Sequence, residues 1–350
     1  MSNNILSDET DSSGFGCDGP IVVYDNGNLI SYSIIPDGGG FKISKENIGK
    51  KDYLTCNADE TGQQFMFQLK DSIKIEKDNY DLPGKMLIVS DIEGNFRGFT
   101  MILKGAGVVN ENLEWIFGSG HLVLAGDFFD RGINVTECLW LIYKLESEAE
   151  RQEGKVHFIL GNHEVMNLRN DLRYVRRKYM VNADSLKLNY QNWYDRDTEL
   201  GKWLRSKNAV EKIGEYLILH AGISKDFPID SVSLSEINDN IRTSIDKTFQ
   251  KGEASKDIFI GSNGPLWYRG IVTGSETQQD IENTLSAFNA SKMIAGHTIV
   301  DQIKYLYNKK VIAIDIEHQE NTEKGFMYAL WYENGNFYII DNNGIKSELN

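Results

Sequence analysis

Five short apolar runs, each closing on a polar residue, set the pattern of this chain. MLIVS at 86–90 ends at Asp91, HLVLAG at 121–126 at Asp127, and VHFILG at 156–161 at Asn162. YLIL at 216–219 runs into His220, and KMIAG at 292–296 into His297. Such runs, short and bounded by turn residues, predict buried strands. Between them VTECLWLIYKLESEAERQ (135–152) and TQQDIENTLSAFNA (277–290) read as helices. Alternating strand and helix predicts an α/β fold with a largely parallel sheet core. Ligands of such sheets bind beyond the carboxyl ends of the strands, so the five polar endings are expected to converge.

The flanks carry different patterns. IVVYDNGNLISYSII and QQFMFQLKDSIKIE, separated by DNGN, DGGG and KD, give strand and hairpin signals. They predict a small β-rich module over 17–80, or a decorated first part of the main sheet, preceded by a disordered tail over 1–16. The main domain is expected over 81–345. Within it, 165–210 is helix-rich (NDLRYVRRKYM, ELGKWLRSKNAVEKI) and too long for a minimal crossover. It is expected to form a helical cap at the edge of the site. Beyond 309, KKVIAIDIE and FMYALWYENGNFYII read as strands, and the Asn-Gly within ENGN predicts an antiparallel hairpin.

With 350 residues, 41% hydrophobic and 25% charged, the chain is of the globular class and long enough to bury a sizeable core. Lys and Arg number 37 against 51 Asp and Glu, a formal charge of -14. That balance disfavours nucleic acid and anionic membrane as partners. The cysteines Cys17, Cys56 and Cys138 are too few and too scattered for a disulfide framework or a thiolate metal site. Free thiols are expected, with a Cys17–Cys56 bridge as the alternative. The polar, acidic opening lacks an apolar signal core, and no run approaches the roughly 18 apolar residues of a membrane span, so the expected location is cytoplasmic.

Taken singly, the polar endings are weak signals, since an Asp that ends a strand often only caps the next helix. Together they combine carboxylates, imidazoles and an amide oxygen, a mixed N/O set suited to hard or borderline divalent ions. Two neighbouring ions need a shared anion between them, for which Asp127 is the natural choice. An ion pair of this kind suits in-line displacement at a phosphoester.

DIEG, GDFFDRG, GNHE, LHAG and AGHT, in that order, resemble the calcineurin-like metallophosphoesterases, and among them the phosphoprotein phosphatase superfamily. NLRNDLRYVRRKYM, ELGKWLRSKNAVEKIGEYLILHAGIS and GPLWYRG look most like the Shewanella-like protein phosphatases. The likeness covers about 85–320. It implies a calcineurin-like fold, two central mixed β-sheets packed face to face and flanked by helices (αββα). It also implies a dinuclear site. Asp127 would bridge both ions, Asp91 would hold the first, and Asn162, His220 and His297 the second. Mn²⁺ is the leading candidate, with Mg²⁺, Fe or Zn²⁺ as alternatives. The implied reaction is phosphomonoester hydrolysis by a metal-bound water attacking in line. His163 would protonate the leaving oxygen, oriented by Asp130, while Arg131, Arg269 and Asn162 bind phosphate. The implied substrate is a phosphorylated peptide or protein (Ser/Thr or Tyr). A small phosphoester such as a dinucleoside polyphosphate is the alternative, and a non-catalytic phosphate-binding module ranks below both. The nuclease branch does not fit, because its usual paired histidine is Ile299 here.

One position departs from the family pattern. Glu93 stands where Asp-x-His-Gly normally supplies a metal-binding histidine. Three readings compete. Glu93 ligates the first ion and shifts preference toward harder cations; its longer side chain swings out and weakens that site; or catalysis has been lost. The first is favoured, since the other motifs are intact.

Overall fold

The computed structural model describes residue 11, residues 13–250 and residues 252–349. The tail expected over 1–16 therefore lies largely outside the described residues. Asp11 is placed, with its carboxylate held by the Arg176 guanidinium at 2.7 and 2.8 Å.

Two six-stranded mixed sheets form the centre, flanked by helices. The first carries β1 (Lys85–Val89), β2 (His121–Leu124) and β3 (Lys155–Phe158), parallel to one another. The hairpin Tyr328–Glu333/Asn336–Asp341 pairs antiparallel to β1 through its first strand. Its turn residues Asn334 and Gly335 have φ of 48° and 87°, as an Asn-Gly hairpin requires. The second sheet carries β4 (Tyr216–Leu219) and β5 (Lys292–Ala295), parallel and in register Leu219 to Ala295. The helices expected over 135–152 and 277–290 are found as Val135–Glu150 and Gln278–Ala287.

Side-chain alternation explains why these strands read as unbroken apolar runs. Met86 and Ile88 of β1 join Val123, Ile218 and Ile294 in a core between the two sheets. Leu87 and Val89 face the other way, into a core with Leu124, Trp140 and Phe158. Both faces of β1 are covered, so both parities must be apolar.

Residues 18–67 form a three-stranded antiparallel sheet and a two-stranded ribbon. Their side chains Ile21, Val22, Cys56 and Phe67 belong to the same core as helix Val135–Glu150. Phe67 stacks on Trp140 at 4.4 Å, and the Trp140 indole donates to the Pro20 carbonyl at 2.8 Å. Asn79–Tyr80, at the end of the expected module, is instead an edge strand of the second large sheet, parallel to Val210–Ile213. All three cysteines are free and buried. No helix among the described residues is long and apolar enough to cross a membrane.

Candidate metal centre

The site forms where the parallel strands end. Backbone pairing continues past them: Asp91 N donates to Gly126 O (2.9 Å), Glu93 N to Asp127 O (2.9 Å), and Gly296 N to His220 O (2.8 Å). These bonds bring four loops from two sheets onto one spot. Asp91, Glu93, Asp127, Asp130, Arg131 and His297 all have φ between 49° and 69°. Left-handed backbone at non-glycine residues costs on the order of 1 kcal/mol each, and such strain gathers at functional sites. Glycine precedes Asp127, Asn162 and His297 because the loops crowd. A Cβ on Gly161 would meet Asp127 Oδ1 at 2.2 Å, and one on Gly296 would meet Asp91 Oδ2 at 2.4 Å.

Two groups of donor atoms result, sharing Asp127: Asp127 with His220 and His297, and Asp127 with Glu93 and His163. In the first, His220 Nε2 lies 3.1 Å from Asp127 Oδ2, 2.9 Å from Asn162 Oδ1 and 3.1 Å from His297 Nδ1. His220 Nδ1 donates to the Ala125 carbonyl at 2.9 Å and His297 Nε2 to the Trp267 carbonyl at 3.2 Å. With those nitrogens protonated, three lone-pair atoms lie about 3 Å from a fourth, His220 Nε2. Something positive belongs between them, and the donor set fits a divalent cation.

The electrostatics agree. Burial pulls the His220 imidazolium down, but Asp127 and Asp91 outweigh it and hold its pKa at about 10. Asp127 is depressed despite burial, chiefly by His220 and His163. His297 falls to about 2, through burial and the neighbouring charge of His220. The pocket holds one positive charge strongly and rejects a second proton, as a cation site does before the cation displaces the proton.

His163 opens the helix Asn162–Leu168, its backbone N–H donating to Asp127 Oδ1 at 2.9 Å. Its Nδ1 lies 2.6 Å from Asp130 Oδ2, which leaves Nε2 toward the cleft, 3.9 Å from Asp127 Oδ2. Burial lowers its pKa, but Asp127 and Asp130 more than offset that and raise it. Asn167, one turn along the same helix, donates to Asp130 Oδ1 at 2.9 Å and fixes the carboxylate. Glu164 accepts the N–H groups of Asp127, Phe128 and Gly161 at 2.9, 2.7 and 2.6 Å, clamping the Asp127 loop to the helix. Sequence reasoning assigned nothing to Asn167 or Glu164; the i, i+4 spacing from His163 was the available signal for the first.

One cleft of about 570 Å³ collects Asp91, Glu93, Asp127, Arg131, His163, Arg269 and His297. Asn162 and His220 lie beneath it, 2% exposed and fully buried. Arg269 donates to the His297 carbonyl at 2.7 Å. Asp91 belongs to neither donor group among the described residues. Its Oδ2 accepts the His297 backbone N–H at 3.1 Å, and burial, reinforced by Asp127 and partly offset by His220, raises its pKa to about 6. Glu93 reaches the second donor group yet forms an ion pair with Arg131. Arg176 and Asp315 also line the cleft, and sequence reasoning gave Arg176 no place there. Burial and the charge of Asp91 push Asp315 well above the usual carboxylate range. From the 165–210 segment Tyr174 packs on His163, ring centroids 5.2 Å apart, and lies under the Arg131 guanidinium.

Comparison with known proteins gives a consistent result. The family described as calcineurin-like phosphoesterase matches residues 84–301. The chain is similar to the cold-active protein tyrosine phosphatase of a psychrophilic Shewanella species: TM-score 0.85, 31% identity, covering 96% of this chain and 100% of that one. It is also similar to Shewanella-like protein phosphatase 2 of Arabidopsis thaliana, 26% identical over 308 residues (73% of this chain, 77% of the relative). Shewanella-like protein phosphatase 1 of Plasmodium berghei is 26% identical over 280 residues, 77% and 75% of the two chains.

Proposed function

The chain belongs to the calcineurin-like phosphoesterases, and from that premise we propose that this metal-dependent phosphoesterase is a protein phosphatase acting on phosphorylated side chains. The observation that carries the reading is His163: held by Asp130 on one nitrogen, it presents the other to a cleft whose floor is the Asp127–His220–His297 donor group. The similarity to a protein tyrosine phosphatase along essentially the whole of both chains supports a protein substrate.

Two divalent ions would share Asp127, with Asn162, His220 and His297 placed to hold one and Asp91 and Glu93 the other. Bound there, the ions supply charge neutralisation and an acidified water at neutral pH. Arg131 and Arg269 orient the phosphoryl group, since guanidinium forks match its oxygens in geometry and charge. His163 carries a proton on Nε2 because two carboxylates stabilise the imidazolium, and it delivers that proton to the leaving oxygen. Asp130 keeps the ring in place through this transfer, and Asn167 keeps Asp130 in place. Glu164 holds the Asp127 loop against the helix that carries His163.

The test is a substrate panel with the Mn²⁺-loaded protein: phosphotyrosyl and phosphoseryl peptides against a dinucleoside polyphosphate. Preference for either peptide by an order of magnitude or more in kcat/KM supports the reading. Preference for the dinucleotide overturns the substrate class while keeping the chemistry.

A further inference from the structure

Glu93 sits between two partners that compete for one carboxylate. Its oxygen belongs to the donor group with Asp127 and His163, and the same side chain forms an ion pair with Arg131. All of these residues line one cleft. We propose that Glu93 is a cation-operated latch on Arg131: without a cation it takes the place at the guanidinium that a phosphoryl group would take, and a bound cation draws it off. The inference rests on the reading of Arg131 as a phosphate-binding residue.

The backbone confines the exchange to side chains. Glu93 N is bonded to Asp127 O at 2.9 Å and Gly94 N to Phe128 O at 3.0 Å, so the Glu93 loop is pinned to the Asp127 loop. Arg131 N donates to Tyr174 O at 3.1 Å, and Arg131 O accepts from Arg176 Nη1 at 2.8 Å. A Cβ on Gly132 would meet Glu93 O at 2.2 Å, which shows how closely the two loops are packed. The Arg131 side chain is 50% exposed and that of Glu93 21%, so a rotamer change of either meets solvent on one side.

Carboxylate and phosphoryl oxygens offer a guanidinium the same acceptors, and Arg131 cannot give its full fork to both. A divalent cation beside Asp127 attracts Glu93 more strongly than a half-exposed guanidinium does. Cation binding therefore releases Arg131, and by linkage phosphate bound at Arg131 tightens the cation. A histidine at position 93 offers no such carboxylate, so the latch is a property of this chain's departure from the family pattern.

The test reads Arg131 directly. Phenylglyoxal modification is followed by peptide mapping, with exposed Arg151 as internal reference, in chelated and in Mn²⁺-loaded protein, wild type and Glu93→Gln. In chelated wild type Arg131 is expected to react about fivefold more slowly than in the variant, the scale of a partly exposed ion pair. Mn²⁺ should bring the wild type to the variant's rate and leave the variant unchanged, and inorganic phosphate should then protect Arg131 in both. A wild-type rate indifferent to Mn²⁺, or a chelated variant that reacts like chelated wild type, overturns the latch. The cation arm decides alone if Glu93→Gln fails to fold. Peptide hydrolysis measured in parallel separates the two readings: turnover with an unresponsive Arg131 rejects only the latch, and a responsive Arg131 without turnover rejects only the phosphatase.

Discussion

His220 Nε2 and His297 Nδ1 lie 3.1 Å apart while the opposite nitrogen of each ring donates to a backbone carbonyl. Two lone pairs at that distance repel, so the pair is stable only around a proton or a cation. Asp127, within 3.1 Å of the same His220 nitrogen, belongs to both donor groups. His297→Ala should therefore reduce metal content by about one ion per chain, and Asp127→Asn should remove both, since the shared anion is lost. Elemental analysis after loading with Mn²⁺ and desalting measures this directly.

His163 and Asp130 give a kinetic prediction. Removing a positioned general acid costs about 10²–10⁴ in rate, so His163→Asn should lower kcat by that factor while metal content stays full. The His163 pKa is raised in the folded protein, and activity requiring its protonated form is lost as pH rises through that value. Asp130→Asn withdraws one of the carboxylates responsible, so the basic limb of the pH–rate profile should move to lower pH. A limb that stays in place would assign the proton to another group.

Glu93→His changes its contribution to the second donor group from anionic oxygen to neutral nitrogen. Softer nitrogen favours Zn²⁺ relative to Mn²⁺ and Mg²⁺. The variant should raise the Zn²⁺-to-Mn²⁺ affinity ratio in competition binding, with an unchanged ratio arguing that Glu93 does not ligate.

A buried ion network beneath the N-terminal strands carries a stability prediction. Lys207, 2% exposed, donates to Glu146 at 2.7 Å and Glu76 at 2.9 Å, while Lys155 also pairs with Glu76 at 2.8 Å. Lys207→Met should cost about 3–5 kcal/mol, because Glu146 is left buried with less compensation. Burial pushes Glu76 up, but Lys207 and Lys155 outweigh it and hold its pKa at about 2 against an ordinary 4.5. Its contribution is thus complete above the ordinary value and fades as pH falls toward 2. Thermal melts between pH 5 and 2 should show a smaller loss in Lys207→Met than in wild type.

Much of this site is legible in the sequence for a physical reason. Parallel strands are buried on both faces, so their ends stand out as the first polar residues after an apolar run. Asp91, Asp127, Asn162, His220 and His297 are the residues that signal picks out, and the glycines before Asp127, Asn162 and His297 mark the crowding. Residues that act through a neighbour carry no such mark. Glu164 and Asn167 lie on a short helix and serve by holding Asp127 and Asp130, which only the folded contacts reveal. Arg176 reaches the cleft from a segment whose path no periodicity dictates. Glu93 was expected to face a metal, and its ion pair with Arg131 depends on two left-handed loops that sequence pattern does not encode. The N-terminal strands were legible as strands, but their union with the core around Trp140 was not, because strand periodicity is silent about which helix covers a face.

The proposed phosphatase depends on a cation held by Asp127. The most direct measurement is hydrolysis of a phosphotyrosyl peptide after chelation and re-addition of Mn²⁺, in wild type and Asp127→Asn. Activity that vanishes on chelation, returns with Mn²⁺ in wild type and stays absent in the variant is the predicted result. Turnover that survives chelation, or persists in Asp127→Asn, would rule out a phosphatase that works through a cation at Asp127.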